Sequence, residues 1–174
     1  MYKEMKKGFT LVELLVVITI LGILATIGLG AFTSSQARSR DVQRKSDLRQ
    51  ISSALELFYS DYGKYPSSNN GAIQSCKYNS TTATGTNCIW GDTGSAGNFT
   101  DGKTTYFQAL PKDPSSNLHF YYRVVNNSNN QAYQLFAYLE NTQDQSRISG
   151  LTYSCGSYNC NFAITSANTT PTTQ

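Results

Sequence analysis

Lys6-Lys7-Gly8-Phe9-Thr10-Leu11-Val12-Glu13 opens the stretch that decides the fold, and the uncharged apolar run Leu14 to Phe32 completes it. That run is 19 residues long, roughly 28 Å as a helix at about 1.5 Å rise per residue, enough to cross a bilayer core with little tilt. Glu13 is the only charged residue between Lys7 and Arg38. An ionised carboxylate at the edge of such a span costs about 2–3 kcal/mol on insertion scales, so it is read as functional and a partner is sought. Arg38 lies at the far end of the run, and Lys6 and Lys7 precede Gly8. A cut after Gly8 creates a partner: it frees the α-amino group of Phe9, four residues before Glu13, and the ammonium of a neighbouring copy can then pair with the carboxylate. The competing reading is that Glu13 snorkels to the interface beside Lys6 and Lys7.

A basic start before an apolar stretch is also the outline of a secretory signal peptide, and Gly28-Leu29-Gly30-Ala31 would pass for its cleavage site. Two features argue against it. The run exceeds the usual 7–15 residues of such signals, and Glu13 stands where they carry no acid.

Residues 6–13 resemble the prepilin signature of type IV pilins and type II secretion pseudopilins: a short basic leader ending in Gly, an aromatic first mature residue, and Glu at the fifth mature position. The strongly alignable part covers about residues 3 to 66. The resemblance implies that a membrane aspartyl peptidase, the prepilin peptidase, cleaves after Gly8 and N-methylates Phe9. It implies that Glu13 neutralises the N-terminus of an adjacent subunit as a filament grows. Its further partners would be the pilus assembly platform, minor pilins and the cytoplasmic membrane. The expected fold is the α+β pilin fold, a long N-terminal helix with a membrane half and an amphipathic half, packed on a small antiparallel sheet.

The expected organisation is a leader at 1–8, a membrane and filament-core helix at 9–32, an amphipathic continuation at 33–62, a globular head at 63–168 and a flexible tail at 169–174. Formal net charge is +3, of which the leader carries +2 through Lys3, Lys6 and Lys7 against Glu4. Bulk charge therefore does not mark a polybasic nucleic-acid binder. The cluster Arg38, Arg40, Arg44, Lys45 and Arg49, diluted by Asp41 and Asp47, reads as a solvated face just outside the apolar segment rather than as a DNA site. DNA uptake is an activity of the family that nothing in this pattern supports.

Gly22, Gly28 and Gly30 interrupt the apolar run, each lowering helix propensity by about 1 kcal/mol relative to Ala, which permits either local bending or close helix packing. The family often carries proline where Gly30 stands, and its filaments can lose helix between the positions matched by Gly22 and Gly30. Farther on, Leu48, Ile51, Leu55, Phe58 and Tyr62 recur at spacings of three and four, with Val42 six residues earlier, predicting an amphipathic helix to about Tyr62. Gly63 and Pro66 end it.

Past residue 62 the chain is rich in Ser, Thr, Asn, Gly and Tyr, which suits an exposed, loop-rich head outside the cell, where cysteines oxidise. Pro66 to Thr105 reads as irregular, with Ser-Ser-Asn-Asn-Gly and Thr-Thr-Ala-Thr-Gly turn chemistry. The four cysteines, Cys76, Cys88, Cys155 and Cys160, allow three connectivities, and sequence does not choose among them. Local pairing is the expectation: a clip across the middle loop, and a C-terminal loop resembling the disulfide-bounded region of many pilins. Trp90, beside the first bridge, reads as core rather than as a ligand platform.

Leu118 to Asn126 and Ala132 to Leu139 read as an antiparallel hairpin about a turn-rich Asn-Ser-Asn-Asn, with Arg147 to Ser154 as a third strand. Leu110-Pro111-Lys112-Asp113-Pro114 is similar to the element preceding the sheet in major pseudopilins and many Gram-positive pilins. Some pseudopilins bind calcium in a later loop, but Glu140, Asn141 and Asp144 offer only two carboxylates, so no metal site is assigned. With a single histidine, His119, and scattered aspartates, no catalytic constellation assembles. Asn79, Asn98, Asn126 and Asn168 fit the Asn-x-Ser/Thr acceptor pattern.

The expectation is thus a non-enzymatic structural subunit without cofactor, foremost a major type IV pilin. It would be a single-pass protein of the cytoplasmic membrane with its head outside, and then part of a surface fimbrium for adhesion, twitching motility or DNA uptake. The alternatives are a type II secretion pseudopilin, a minor tip adhesin, and a membrane-anchored binding module that never polymerises.

Overall fold

The computed structural model describes residues 8–79, 81, 82, 84–125 and 129–171, with 27–31 and 84 for backbone only. Leader residues 1–7, the acceptor Asn126 and the last three residues of the tail lie outside the described residues. One helix, α1, runs Leu11–Tyr62, and the chain divides into two units between Arg38 and Ser39.

In the first unit, Thr10 caps the helix. Its side chain accepts from the Glu13 amide at 3.2 Å, while Glu13 reaches back to the Thr10 amide at 2.8 Å and hydroxyl at 2.7 Å. This is a reciprocal capping box that satisfies donors the first turn cannot. The large apolar side chains described between Phe9 and Leu24 are exposed around the whole helix, with Phe9 at 89%. Among the described residues no helix is long and apolar enough to cross a membrane; the expected span, 14–32, includes the stretch described for backbone only.

In the second unit α1 has two faces. Leu48, Ile51, Leu55 and Phe58 are fully buried, as their spacing predicts, and Tyr62 is half-buried. Val42 is not on this stripe: it is 67% exposed. The three-and-four spacing continues backward from Leu48 through Arg44 and Asp41, so the buried face turns ionic there instead of remaining apolar. Gly63, at φ +65°, ends the helix with its amide on the Tyr59 carbonyl at 2.7 Å, the left-handed cap that glycine supplies without a Cβ penalty.

Two antiparallel sheets pack on this half of the helix. The first joins β1 (Ser67–Asn69), β2 (Ala72–Asn79), β4 (Phe99–Thr100) and β5 (Thr105–Phe107) in that order, with β3 (Thr84–Asn87) also paired to β2. The expectation of an irregular Pro66 to Thr105 is therefore corrected. Apart from the eight-residue β2 its strands are short, and each of them includes polar residues, so no run of alternating apolar residues marks them. Asn70 and Gly71, at φ +47° and +82°, turn β1 into β2, as a two-residue hairpin requires.

The second sheet is β6 (Tyr121–Val125), β7 (Ala132–Ala137) and β8 (Phe162–Thr165), in the order 6-7-8. The hairpin registers Tyr121 on Phe136 and Val125 on Ala132, as expected. Arg147 to Ser154 is not the third strand. Leu151 and Tyr153 are buried beneath Phe136 as a second layer, and their alternation reflects that burial rather than a ladder. β8, which follows the second bridge, takes the edge beside β7. Every residue of β7 is buried, because the helix side covers Tyr133 and Leu135 while this second layer covers Phe136.

Both disulfides are local, Cys76–Cys88 and Cys155–Cys160. The second closes a loop seated on residues 117–118, where Gly156, at φ +100°, lies so close to the Asn117 carbonyl that a Cβ would fall 2.2 Å from its oxygen. Trp90 packs on the main core, edge-on to Phe120, and donates to the Gly71 carbonyl at 3.1 Å.

Candidate functional site

Gly8, Phe9 and Glu13 fall within one short stretch of the first unit. A Cβ built on Gly8 meets nothing within 4 Å. Among the described residues nothing therefore demands glycine at this position. Phe9 presents its ring and its backbone to the surroundings. Glu13 sits at the third helical position, where a carboxylate favours the amide-rich helix start. Both of its bonds to Thr10 use Oε2, which leaves Oε1 without a partner among the described residues. The arrangement holds one carboxylate oxygen and presents the other in an apolar surface.

Gly22 also has open space around it, so Gly22→Ala would meet no obstacle within the isolated chain. Gly28 and Gly30 lie within α1, and their surroundings are outside the described residues.

The basic cluster is a solvated face only in part: Arg38 and Arg49 are exposed, whereas Arg40, Arg44 and Lys45 turn to the head. Arg44 is fully buried and donates through Nε and Nη2 to both oxygens of Asp113 at 2.8 Å, through Nη1 to Asp41 at 2.7 Å, and through Nη2 to Glu140 at 2.7 Å. Arg40 pairs with Glu140 through Nε at 2.9 Å and through Nη2. Lys45 pairs with Asp144 at 2.6 Å. Asp41 in turn accepts the backbone amides of Glu140 and Asn141 at 2.9 and 2.8 Å. The clasp ties the start of the head-packed helix to the Leu-Pro-Lys-Asp-Pro element and to the segment after β7. Burial opposes the Arg44 charge, but the hydrogen bonds of Asp113 and Glu140 outweigh it and raise its pKa. Hydrogen bonding from Arg40, then Arg44 and Ser115, holds Glu140 down at about 2. Lys45 and Ser146 hold Asp144 at about 2. Burial, with the nearby Asp113 charge, instead raises Asp47.

Sequence reasoning missed this clasp. The signal was the 41-44-48-51-55-58-62 spacing, which places Asp41 and Arg44 on the buried stripe. Glu140 and Asp144, weighed as calcium ligands, are instead occupied by cations of the helix, and no cluster of three or more metal-ligating residues occurs among the described residues.

Residues 5–29 match a family model described as the prokaryotic N-terminal methylation motif. Over 64 residues the chain is 38% identical to the type IV major pilin protein PilA of Myxococcus xanthus, covering 37% of this chain and 29% of that protein. It is 42% identical over 72 residues to the fimbrial protein EcpC of Eikenella corrodens, covering 41% and 47%. It is 35% identical over 71 residues to the type II secretion system core protein G of Pseudomonas aeruginosa, covering 41% and 50%. The match thus spans half or less of each of these relatives. No solved structure matches the chain.

Proposed function

We propose that this chain, whose N-terminal part matches the type IV pilin and pseudopilin family, is a structural subunit of a type IV pilus, foremost the major pilin. The prepilin peptidase cuts after Gly8 and methylates the new N-terminus at Phe9. Residues 9–32 hold the subunit in the cytoplasmic membrane with the head outside. Assembly then exchanges lipid for the apolar helices of neighbouring subunits.

The observation that carries this reading is the state of Glu13. It lies one turn from Phe9, fixed by Thr10 through Oε2 and open at Oε1. An ammonium arriving from an adjacent subunit meets an oriented carboxylate without first displacing the cap. In apolar surroundings such a charge-assisted pair is stronger than one in water, which favours the register that brings the two together. Glu13→Ala is expected to be cut normally and to yield few filaments by electron microscopy. Normal filament yield would rule out the pairing role.

A type II secretion pseudopilin is the second reading, favoured by the similarity to a core protein G. Long surface filaments at native expression separate the two.

A further inference from the structure

Three arginines of this chain meet the head in two different ways. Arg40 and Arg44 each present the Nε and Nη2 edge to both oxygens of one carboxylate, on Glu140 and Asp113. Arg123, on β6, uses only the other side of its guanidinium: Nη1 donates to the Tyr153 hydroxyl, and the group lies over the Tyr153 ring, 5.4 Å from its centre. Its Nε and Nη2 edge has no partner among the described residues, and no carboxylate pairs with it. The residues that follow β6 in sequence, Asn126 to Ser128, carry no charge.

Arg123 lines a cleft of about 290 Å³ between β1 of the first sheet and β6 of the second. Its walls include Ser67, Ser68, Asn130 and the rings of Tyr121 and Tyr153. The floor is fixed. Ser68 Oγ accepts from the Val124 amide at 3.1 Å, Asn130 Nδ2 donates to Ser67 Oγ at 3.2 Å, and Tyr121 and Tyr153 lie 5.2 Å apart, tilted by 32°. Gly71 makes the close approach of the two sheets feasible, since a Cβ there would strike the Tyr121 ring at 2.6 Å.

The geometry points to a binding site for an acidic sugar, a hexuronate unit, in which Arg123 takes the carboxylate and the hydroxyl and amide groups of the walls take the ring hydroxyls. A planar guanidinium with two parallel free N–H groups matches a carboxylate bidentately. Stacking on Tyr153 orients the fork in advance, so little side-chain freedom is lost on binding. The walls are rich in hydroxyl and amide groups beside aromatic carbon, which suits a polyhydroxylated ring and suits an aliphatic side chain poorly. The volume has room for one such unit.

The test is titration of the full chain in detergent micelles with sodium glucuronate, glucose and inorganic phosphate, followed by heteronuclear NMR of the Arg123 side chain and the Tyr121 and Tyr153 rings. Glucuronate is expected to bind at millimolar concentration and to move all three. Arg123→Gln should weaken it about tenfold or more, and Arg123→Lys, which keeps charge but loses the fork, should weaken it comparably, with a single cooperative Trp90-monitored unfolding transition retained in both variants to show that the head is still folded. Glucose binding as tightly as glucuronate would overturn the role of Arg123. Phosphate matching glucuronate would overturn the sugar, and no shift with any of the three would overturn the site.

Discussion

Arg44→Ala is the sharpest perturbation of the head. The guanidinium it removes is fully buried and faces Asp41 and Asp113, whose side chains are 2% and 0% exposed, and Glu140 at 23%. Removal strands at least two carboxylates in the interior. Breaking a buried pair from one side costs about 3–5 kcal/mol because an uncompensated charge is left behind, a large part of the roughly 5–15 kcal/mol that holds a domain together. The assay is denaturant unfolding of the full chain in detergent with both disulfides intact, read by the fluorescence of Trp90, which packs against the head core. The difference between wild type and variant should also shrink on acidification, because Glu140, held down in part by Arg44, takes up its proton at higher pH once Arg44 is gone. A change below about 1 kcal/mol at neutral pH, or a difference that does not vary with pH, would refute the assignment of these bonds as a buried clasp.

The wild-type head should itself lose stability in acid. Glu140 and Asp144 titrate near 2 when folded against 4.5 and 3.8 ordinarily. Their stabilisation is therefore complete above about pH 5 and is lost as pH falls toward 2, with Glu140 contributing about 1–2 kcal/mol after allowing for solvent screening. Asp47, raised by burial, acts in the opposite direction over its own titration. Cys76→Ser with Cys88→Ser should lower stability by about 3 kcal/mol and Cys155→Ser with Cys160→Ser by about 2, following the sequence separations of 12 and 5, as measured by the same unfolding assay. Gly8→Phe should leave the unfolding curve unchanged, since nothing among the described residues lies near its Cβ, while uncut precursor accumulates on an immunoblot; a processed band would contradict the proposed cleavage.

What was legible in the sequence followed from strong local rules. The apolar run and its single carboxylate, the three-and-four stripe to Phe58, the glycine stop at 63 and the β6–β7 hairpin each rest on periodicity or on a backbone need that few residues meet. The rest depends on distant partners. β1, β3 and β4 are two to four residues long and are held by pairing with β2, whose own pattern is broken by shifts in register at Gln74 to Asn79 and at Cys76. Ile148, Leu151 and Tyr153 look like a strand because a second apolar layer imposes spacing too. Arg44 was read by charge rather than by phase: a cation looks solvated until Asp113, 69 residues on, is known to face it.

The central claim is that Gly8 and Phe9 form the junction between a removed leader and a mature filament subunit. The most direct test is the intact mass and N-terminal sequence of the protein in material sheared from the surface of native cells. The account predicts a chain beginning at Phe9, heavier by one methyl group and lighter by four hydrogens for the two bridges. A chain beginning near Ala31, or a full-length chain that stays in the membrane with nothing released by shear, would contradict it.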